Sequence, residues 1–299
     1  MRKLPRILTP LFLASATAFG REGAPRGPGR LVELVTYDPD GPYKLGPKFV
    51  ELQGSHFFSH TMGWVVGITL GIFLIHYLII GPREFDRTGK RISYYTLFER
   101  TIHWIAALAF VLLIPTGMMI LYGQYLGGGD PVRTARYIHD IATVLFAVSV
   151  VPMFFIWLIP MLPTWDDIKW FMIAGGYLSK KKREIPAGKF NAGQKMWFWI
   201  ATLGGAVMIA TGAAMYFQTF DLGIAKALEM NQTDLLRAAA IVHNVLAFAI
   251  VALFITHLYM SLFAIKGSLR SMINGTKREE EVKYLHHSWY IRLKKEEKV

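Results

Sequence analysis

The sequence predicts an all-α fold, a polytopic bundle of membrane-spanning helices. Of its 299 residues 53% are hydrophobic, and the mean hydropathy is +0.33, which is too apolar for an ordinary soluble domain. Several apolar runs each approach the roughly 20 residues that a spanning helix needs. Because backbone groups in lipid must be hydrogen-bonded internally, we expect these runs to be helices. The runs are approximately 57–80, 101–122, 138–162, 196–217 and 238–265.

The distribution of basic residues sets the predicted topology. The loops over 81–100 and 163–195 and the tail over 266–299 are rich in lysine and arginine. The two remaining loops carry only Arg133, Arg136, Lys226 and Arg237. Cytoplasmic loops of membrane proteins carry an excess of these residues, so the rich loops and the C-terminus are predicted to be cytoplasmic. The net charge of +12 is then explained by topology, with the lipid bilayer as partner and no nucleic acid.

The chain before the first run divides into two parts. Residues 1–20 combine a basic start, a short apolar stretch and small residues, which is the pattern of a signal peptide; the alternative is an amphipathic N-terminus that is retained. Residues 21–56 are rich in glycine and proline and are predicted to form an extracytoplasmic arm. The run over 57–80 is then an additional span in front of a four-helix core over 101–265.

Four histidines occur at two matching depths in this topology. His243 and His257 are fourteen residues apart in the last run, so both leave one helix face about 21 Å apart along the axis. That distance places one near each side of a bilayer core about 30 Å thick. His103, near the cytoplasmic start of the second run, matches His257, and His139, near the outer start of the third, matches His243. Ionisable residues inside a bilayer are costly and are functional candidates by default.

This arrangement indicates two haems stacked across the membrane. The chain contains no cysteine, which excludes disulfides, cysteine-ligated iron–sulfur clusters and covalently attached c-type haem. We therefore predict two haem b groups: His103 and His257 on the iron of the cytoplasmic-side haem, and His139 and His243 on that of the outer-side haem. The alternative for any single one of these residues is a hydrogen-bonded interfacial histidine, but four at two matching depths favour haem.

Other residues in the spans have two interpretations each. Gly117 lies fourteen residues after His103, at the level of the outer haem, where a missing side chain would let the macrocycle approach. The alternative is a helix-packing glycine, or flexibility beside Pro115.

Arginines near the span ends are candidates for binding haem propionates, or are simple topology charges: Arg100, Arg133, Arg136 and Arg237. His76 is expected to be a packing or hydrogen-bonded residue, and His286 and His287 to be solvated or in contact with a partner.

The cytoplasmic loop before the fourth run is a candidate quinone site. Asn191, Gly193 and Gln194 are uncharged and lead into the interfacial Trp197 and Trp199. Asparagine and glutamine hydrogen-bond a quinone oxygen directly or through water, and Gly193 permits close approach of the backbone. The alternative is an ordinary turn with Asn191 as a helix N-cap.

Several segments together carry a resemblance to a known family. They are Phe98–Trp104, Arg136–His139, Ile185–Gln194, the His243/His257 pair and His286–Trp289. Over roughly residues 95–292 the chain resembles the gamma subunit of respiratory formate dehydrogenase, a membrane b-type cytochrome. It departs from the shorter members of that family by its N-terminal arm and first span, as longer members do.

The resemblance implies a function for the chain as one subunit of a complex in the bacterial inner membrane. Formate would be oxidised on a molybdenum- or tungsten-containing partner, and an iron–sulfur subunit would pass electrons to the outer-side haem. The cytoplasmic-side haem would then reduce a quinone at Asn191, Gly193 and Gln194. The same ligand pairs follow from the resemblance as from depth.

Three other readings remain open from the sequence. The quinone-reactive cytochrome b subunit of a hydrogenase or thiosulfate reductase shares a two-haem helical core. Co-purification with a particular catalytic subunit would distinguish it from a formate dehydrogenase subunit. A transporter or proton channel with a histidine relay, for which His76 is the best argument, predicts a purified protein without a Soret band. A passive membrane anchor also predicts a colourless protein.

Overall fold

The computed structural model describes residues 45–86, 88–217 and 223–296. The predicted signal peptide and residues 21–44 of the predicted arm lie outside the described residues. The chain divides into two compact units, Met1–Lys48 and Phe49–Val299. Of the first unit only the start of one helix is described, and the account below concerns the second.

The described residues are almost entirely helical. The helices are α1 (Leu45–Gly54), α2 (Phe57–Ile79), α3 (Leu97–Leu121), α4 (Gly129–Trp157), α5 (Trp165–Met172), α6 (Ala192–Phe217), α7 (Ile224–Ala227), α8 (Gln232–Ala264), α9 (Arg270–Asn274), α10 (Glu279–Leu285) and α11 (His287–Lys295). Two short strands, β1 (Arg91–Ser93) and β2 (Thr276–Arg278), pair antiparallel. Five helices are long and apolar enough to cross a membrane, namely α2, α3, α4, α6 and α8. The predicted all-α polytopic fold is confirmed.

The first span begins at Phe57 as expected, but the other four begin earlier than hydropathy indicates. We expected the third to start near residue 138, but α4 starts at Gly129 and includes the polar residues Asp130 and Arg133. The fourth starts at Ala192 and the fifth at Gln232, each directly after an asparagine N-cap. Hydropathy locates the segment that crosses lipid, whereas a helix continues outwards until a cap ends it.

Local hydrogen bonds fix the start of α3 against the end of α4. The Thr96 side chain accepts from the Glu99 backbone N–H, and a Glu99 carboxylate oxygen accepts from the Thr96 N–H at 2.7 Å, forming a capping box. The other Glu99 oxygen accepts a 2.8 Å hydrogen bond from the Trp157 indole. One carboxylate therefore caps one span and holds the neighbouring span beside it.

The bundle interior is aromatic. Phe110 of α3 stacks on Phe254 of α8 with ring centroids 5.5 Å apart and contacts Phe146 of α4 and Trp197 of α6. Phe110 lies seven residues, about two turns, after His103 and seven before Gly117, so this cluster fills the middle of the bundle.

The first span packs against the fifth through His76. Its Nδ1 lies 2.5 Å from the Tyr259 hydroxyl, and its Nε2 donates to the Tyr177 carbonyl at 2.9 Å. Phe73 stacks on the same tyrosine, with ring centroids 4.3 Å apart. The packing role predicted for His76 is confirmed, and both of its ring nitrogens are bonded within the protein.

The C-terminal tail folds back onto the loops instead of extending into solvent. The backbone of Ile185 donates to Tyr284 at 2.7 Å, and Trp289 donates to Ala187 at 3.2 Å. His286 is 1% exposed, and its Nδ1 donates to the Gly188 carbonyl at 3.0 Å. Burial lowers the pKa of His286 to about 3, so the ring is neutral. The expectation that His286 is solvated was wrong, because the tail covers the loop that leads into α6.

Candidate haem and quinone sites

The structure brings the four span histidines together in two pairs. His103 of α3 faces His257 of α8 with ring centroids 6.2 Å apart and ring planes at 53°. His139 of α4 faces His243 of α8 at 6.5 Å and 56°. These are the pairs that depth predicts. We call the first the inner pair and the second the outer pair.

The spacing in both pairs suits a metal ion held between two imidazoles. A bond of about 2 Å on each side, the length of zinc–histidine bonds, separates the two ring centroids by roughly 6 Å. Aromatic rings that pack directly also lie about 4.5–7 Å apart, so the spacing permits a shared iron ion but does not by itself require one. The residues present therefore fit two haems, each of which would be held by one of the two histidine pairs.

A threonine hydroxyl fixes the tautomer of His139. The Thr116 hydroxyl donates to the Leu112 carbonyl at 2.6 Å, so its single hydrogen is already used. The same oxygen lies 3.0 Å from His139 Nδ1 and accepts the hydrogen bond from it. Because Nδ1 then carries the proton, Nε2 keeps a free lone pair, which is the form that binds a metal.

The same arrangement recurs on α6 for His243. The Thr211 hydroxyl donates to the Val207 carbonyl at 2.8 Å and accepts from His243 Nδ1 at 3.0 Å. Both histidines of the outer pair are thus held by a threonine of a neighbouring helix, in the tautomer that leaves Nε2 free.

A glycine follows each of these threonines and lies against the histidine ring. A Cβ at Gly117 would lie 3.4 Å from Cε1 of His139, and one at Gly212 would lie 3.6 Å from Cε1 of His243. Sequence reasoning found Gly117 but missed Gly212 and both threonines. The available signal was the repeated pattern Ile-x-Thr-Gly at 114–117 and 209–212. The approach of a haem to Gly117 stays a prediction, and the imidazole of His139 is the nearest neighbour that the structure shows there.

The inner pair has different surroundings. His103 Nδ1 is buried without a hydrogen-bond partner among the described residues. The His257 ring stacks on Trp197, with centroids 5.6 Å apart and planes at 22°. Buried polar atoms without partners are rare. The two pairs therefore differ chemically: both histidines of the outer pair bond a threonine hydroxyl, whereas His103 of the inner pair has no such partner among the described residues.

The candidate quinone residues form the start of α6. Asn191 is the N-cap: its Oδ1 accepts from the Gln194 N–H at 3.0 Å, and the Gln194 side-chain oxygen accepts from the Asn191 N–H at 3.0 Å. The N-cap interpretation is therefore confirmed. The capping box uses the side-chain oxygens of Asn191 and Gln194 but not their NH₂ groups. These two NH₂ groups make no hydrogen bond with other described residues. These groups are donors, and a quinone carbonyl is an acceptor.

Contacts around this helix start connect it to the inner pair. Gln194 and Trp197 are three residues apart on one face of α6, and Trp197 stacks on His257. A Cβ at Gly193 would lie 3.0 Å from the ring of Trp170, so this glycine is needed for packing.

Most of the candidate propionate ligands already have partners in the protein. Arg237 forms a buried 2.9 Å ion pair with Asp234. Arg133 pairs with Asp130, and Arg100 donates to the Ile273 carbonyl. These contacts favour the structural interpretation of the three arginines.

Known proteins are similar to this chain in sequence. Residues 94–275 match the family described as prokaryotic cytochrome b561, a segment that holds all four span histidines and the start of α6 and leaves α2 outside. The formate dehydrogenase cytochrome b556 subunit of Haemophilus influenzae is 28% identical over 211 residues, 68% of this chain and 80% of that protein. The cytochrome b556(fdo) subunit of Escherichia coli K12 is 28% identical over 212 residues, 67% and 92% of the two chains.

A further relative is the nitrate-inducible formate dehydrogenase cytochrome b556(Fdn) subunit of Escherichia coli K12. It is 26% identical over 214 residues, 70% of this chain and 94% of that protein. The resemblance inferred from the histidine motifs is confirmed, and the chain belongs to the prokaryotic cytochrome b561 family.

Proposed function

We propose that this chain is the membrane cytochrome b subunit of a formate dehydrogenase complex in the bacterial inner membrane. It would carry electrons from an extracytoplasmic iron–sulfur subunit, by way of two b haems, to a quinone on the cytoplasmic side. Formate itself would be oxidised on a molybdenum- or tungsten-containing partner. The observation that carries the proposal is the pair of histidine couples, with ring centroids 6.2 and 6.5 Å apart, at two levels of one bundle.

The chain's own residues prepare the outer haem position and fill the space between the two levels. Haem iron, when bound, exchanges single electrons at a potential that its ligands and their hydrogen bonds set. Thr116 and Thr211 orient His139 and His243 and hold the proton on Nδ1. Phe110, Phe254 and Trp197 pack against one another and would exclude water from the space between the two levels.

The start of α6 would bind the quinone. The capping box consumes the side-chain oxygens of Asn191 and Gln194 and thereby fixes where their NH₂ groups lie. These donors would hydrogen-bond a quinone carbonyl, and Trp197 would separate the quinone from His257 by one aromatic layer. Protons for quinone reduction would come from the cytoplasm.

Removing the threonine hydroxyls should change the outer haem alone. A histidine that donates from Nδ1 is a more basic ligand and stabilises ferric iron. We expect Thr116→Val or Thr211→Val to raise the midpoint potential of the outer haem and leave that of the inner haem unchanged. A redox titration followed in the α-band measures both potentials.

Thr202→Val is the matched control for this experiment. Thr202 is a buried threonine of the same α6 helix, and its hydroxyl bonds the Phe198 carbonyl. Equal potentials in the wild type and both outer-pair variants would show that the threonines do not act on a haem ligand.

Asn191→Asp and Gln194→Glu separate capping from quinone binding. An acidic side chain keeps the capping oxygen but loses the NH₂ donor, and aspartate caps as well as asparagine. With a lost hydrogen bond of about 1 kcal/mol, we expect quinone-dependent haem reoxidation to slow about fivefold per substitution, with haem reduction by formate unchanged. Stopped-flow absorbance follows both steps.

The double substitution Asn191→Ala with Gln194→Ala provides the comparison. It removes the cap as well as the donors, so it should slow reoxidation and also lower helix stability by about 1 kcal/mol. Wild-type reoxidation rates in the acidic variants would rule out the amide donors as quinone ligands.

The identity of the donor complex rests on the relatives. A cytochrome b of a hydrogenase or a thiosulfate reductase would use the same histidine pairs. Purification of the intact complex from its native membrane and identification of its catalytic subunit distinguish these cases.

A further inference from the structure

A basic cavity lies at the end of α8, apart from the histidine pairs and the start of α6. Its volume is about 270 Å³. It is formed where β1, β2 and α9 meet the segment that follows the fifth span. Its charged lining consists of Arg91, Lys266, Arg270, Lys277, Arg278 and Glu281.

The nearby carboxylates neutralise only the two lysines. Glu281 pairs with Lys277 in a buried contact, and Glu84 pairs with Lys266. Arg91, Arg270 and Arg278 form no ion pair with a carboxylate among the described residues. Three guanidinium groups therefore line one cavity without a counter-charge from the described part of the chain.

The strand register places two of these arginines side by side. Arg91 is directly opposite Arg278 in the antiparallel β1–β2 pair, so both side chains leave the same face. In the next pair of the ladder, Ile92 and Lys277 are both buried, and Lys277 is already paired with Glu281. Like charges directly opposite each other destabilise a strand pair. An anion between the two guanidinium groups removes that repulsion.

The apolar part of the lining indicates which anion this is. Leu262, in the last turn of the membrane-spanning α8, also lines the cavity and is 47% exposed. A ligand that touches this residue and the arginines has both a hydrocarbon part and an anionic part. Guanidinium groups match phosphate oxygens in bidentate geometry.

We propose that this cavity binds the phosphate of an anionic phospholipid headgroup, with Arg91, Arg270 and Arg278 as its ligands and the acyl chains beside Leu262. The cavity lies on the side that loop charge predicts to be cytoplasmic. Basic recesses beside spans on that side are suited to anionic headgroups. The bound lipid would stabilise the contact of the β1–β2 pair and the tail with the end of the fifth span.

Lipid binding to the purified full-length protein tests the proposal. Delipidated protein in neutral detergent is titrated with phosphatidylglycerol, phosphatidylcholine or inorganic phosphate, and bound lipid is counted by native mass spectrometry. We expect tight binding of phosphatidylglycerol alone. Because each basic residue contributes a factor of about five, Arg91→Gln with Arg270→Gln should weaken it by about 30-fold.

The control is Lys180→Gln with Lys181→Gln, which removes two exposed cations from another loop on the same side. It should leave phosphatidylglycerol binding unchanged. Equal wild-type affinity for the two lipids, or equal losses in both double variants, overturns the proposal. Tight binding of inorganic phosphate without lipid preference shows a site for a soluble anion and overturns the lipid assignment. If the arginine double variant does not fold, Arg270→Gln alone should weaken binding about fivefold, and unchanged binding overturns the proposal.

Discussion

His103→Ala and His257→Ala should each remove one b haem and leave the other in place. The two rings face each other at 6.2 Å, so loss of either ring would leave a haem iron at the inner pair with one protein ligand. The outer pair lies about 21 Å away along α8 and keeps both of its ligands. The haem-to-protein ratio, measured by pyridine haemochrome, should fall from two to one.

His60→Ala is the control for this loss. His60 is an exposed histidine near the start of α2, and its removal should leave both haems bound. The same test on His139 and His243 should remove the outer haem instead. A His103 or His257 variant that retains two haems would contradict the pairing.

Gly117→Leu should displace the outer haem without affecting the inner one. A Cβ at this position already lies 3.4 Å from His139 Cε1, so a larger side chain must push the imidazole from its place. The hydrogen bond from His139 Nδ1 to Thr116 would break with it. We expect most of the outer haem to be lost, with the inner haem retained in the reduced-minus-oxidised spectrum. Gly212→Leu should act in the same way through His243.

Gly67→Leu is the matched control for the glycine variants. It places the same side chain in a span where nothing lies within 4 Å of the new Cβ. This variant should bind both haems. If Gly117→Leu also keeps its full haem content, the close contact with His139 has no role in holding the ligand.

Much of the fold and the pairing of the histidines was predictable from the sequence. Hydropathy and length gave the five spans, and loop charge gave a direction for each helix. Depth then paired His103 with His257 and His139 with His243, which are the residues that the structure brings together. Their roles as haem ligands stay predictions.

The features that the sequence did not predict depend on contacts between distant segments. The link from Thr211 to His243 requires that α6 and α8 be neighbours at one rotation, which periodicity alone does not specify. The burial of His286 depends on a tail that folds back over the loop before α6. The helix α1 lies within residues 21–56, which composition assigned to an extracytoplasmic arm without predicting a helix there.

For the candidate quinone residues, the sequence could not show whether two different roles are compatible. Asn191 in the sequence fits both an N-cap and a quinone ligand, and the structure shows that it is an N-cap. The cap uses its oxygen and leaves its NH₂ group, so the two roles are compatible. Only the orientation of the capping box reveals this.

The haem content of the intact purified protein tests the central claim most directly. A reduced-minus-oxidised spectrum with a haem assay should give two b haems per chain, both reducible by formate in the complete complex. A fully loaded preparation with one haem per chain, or with none, would contradict the account.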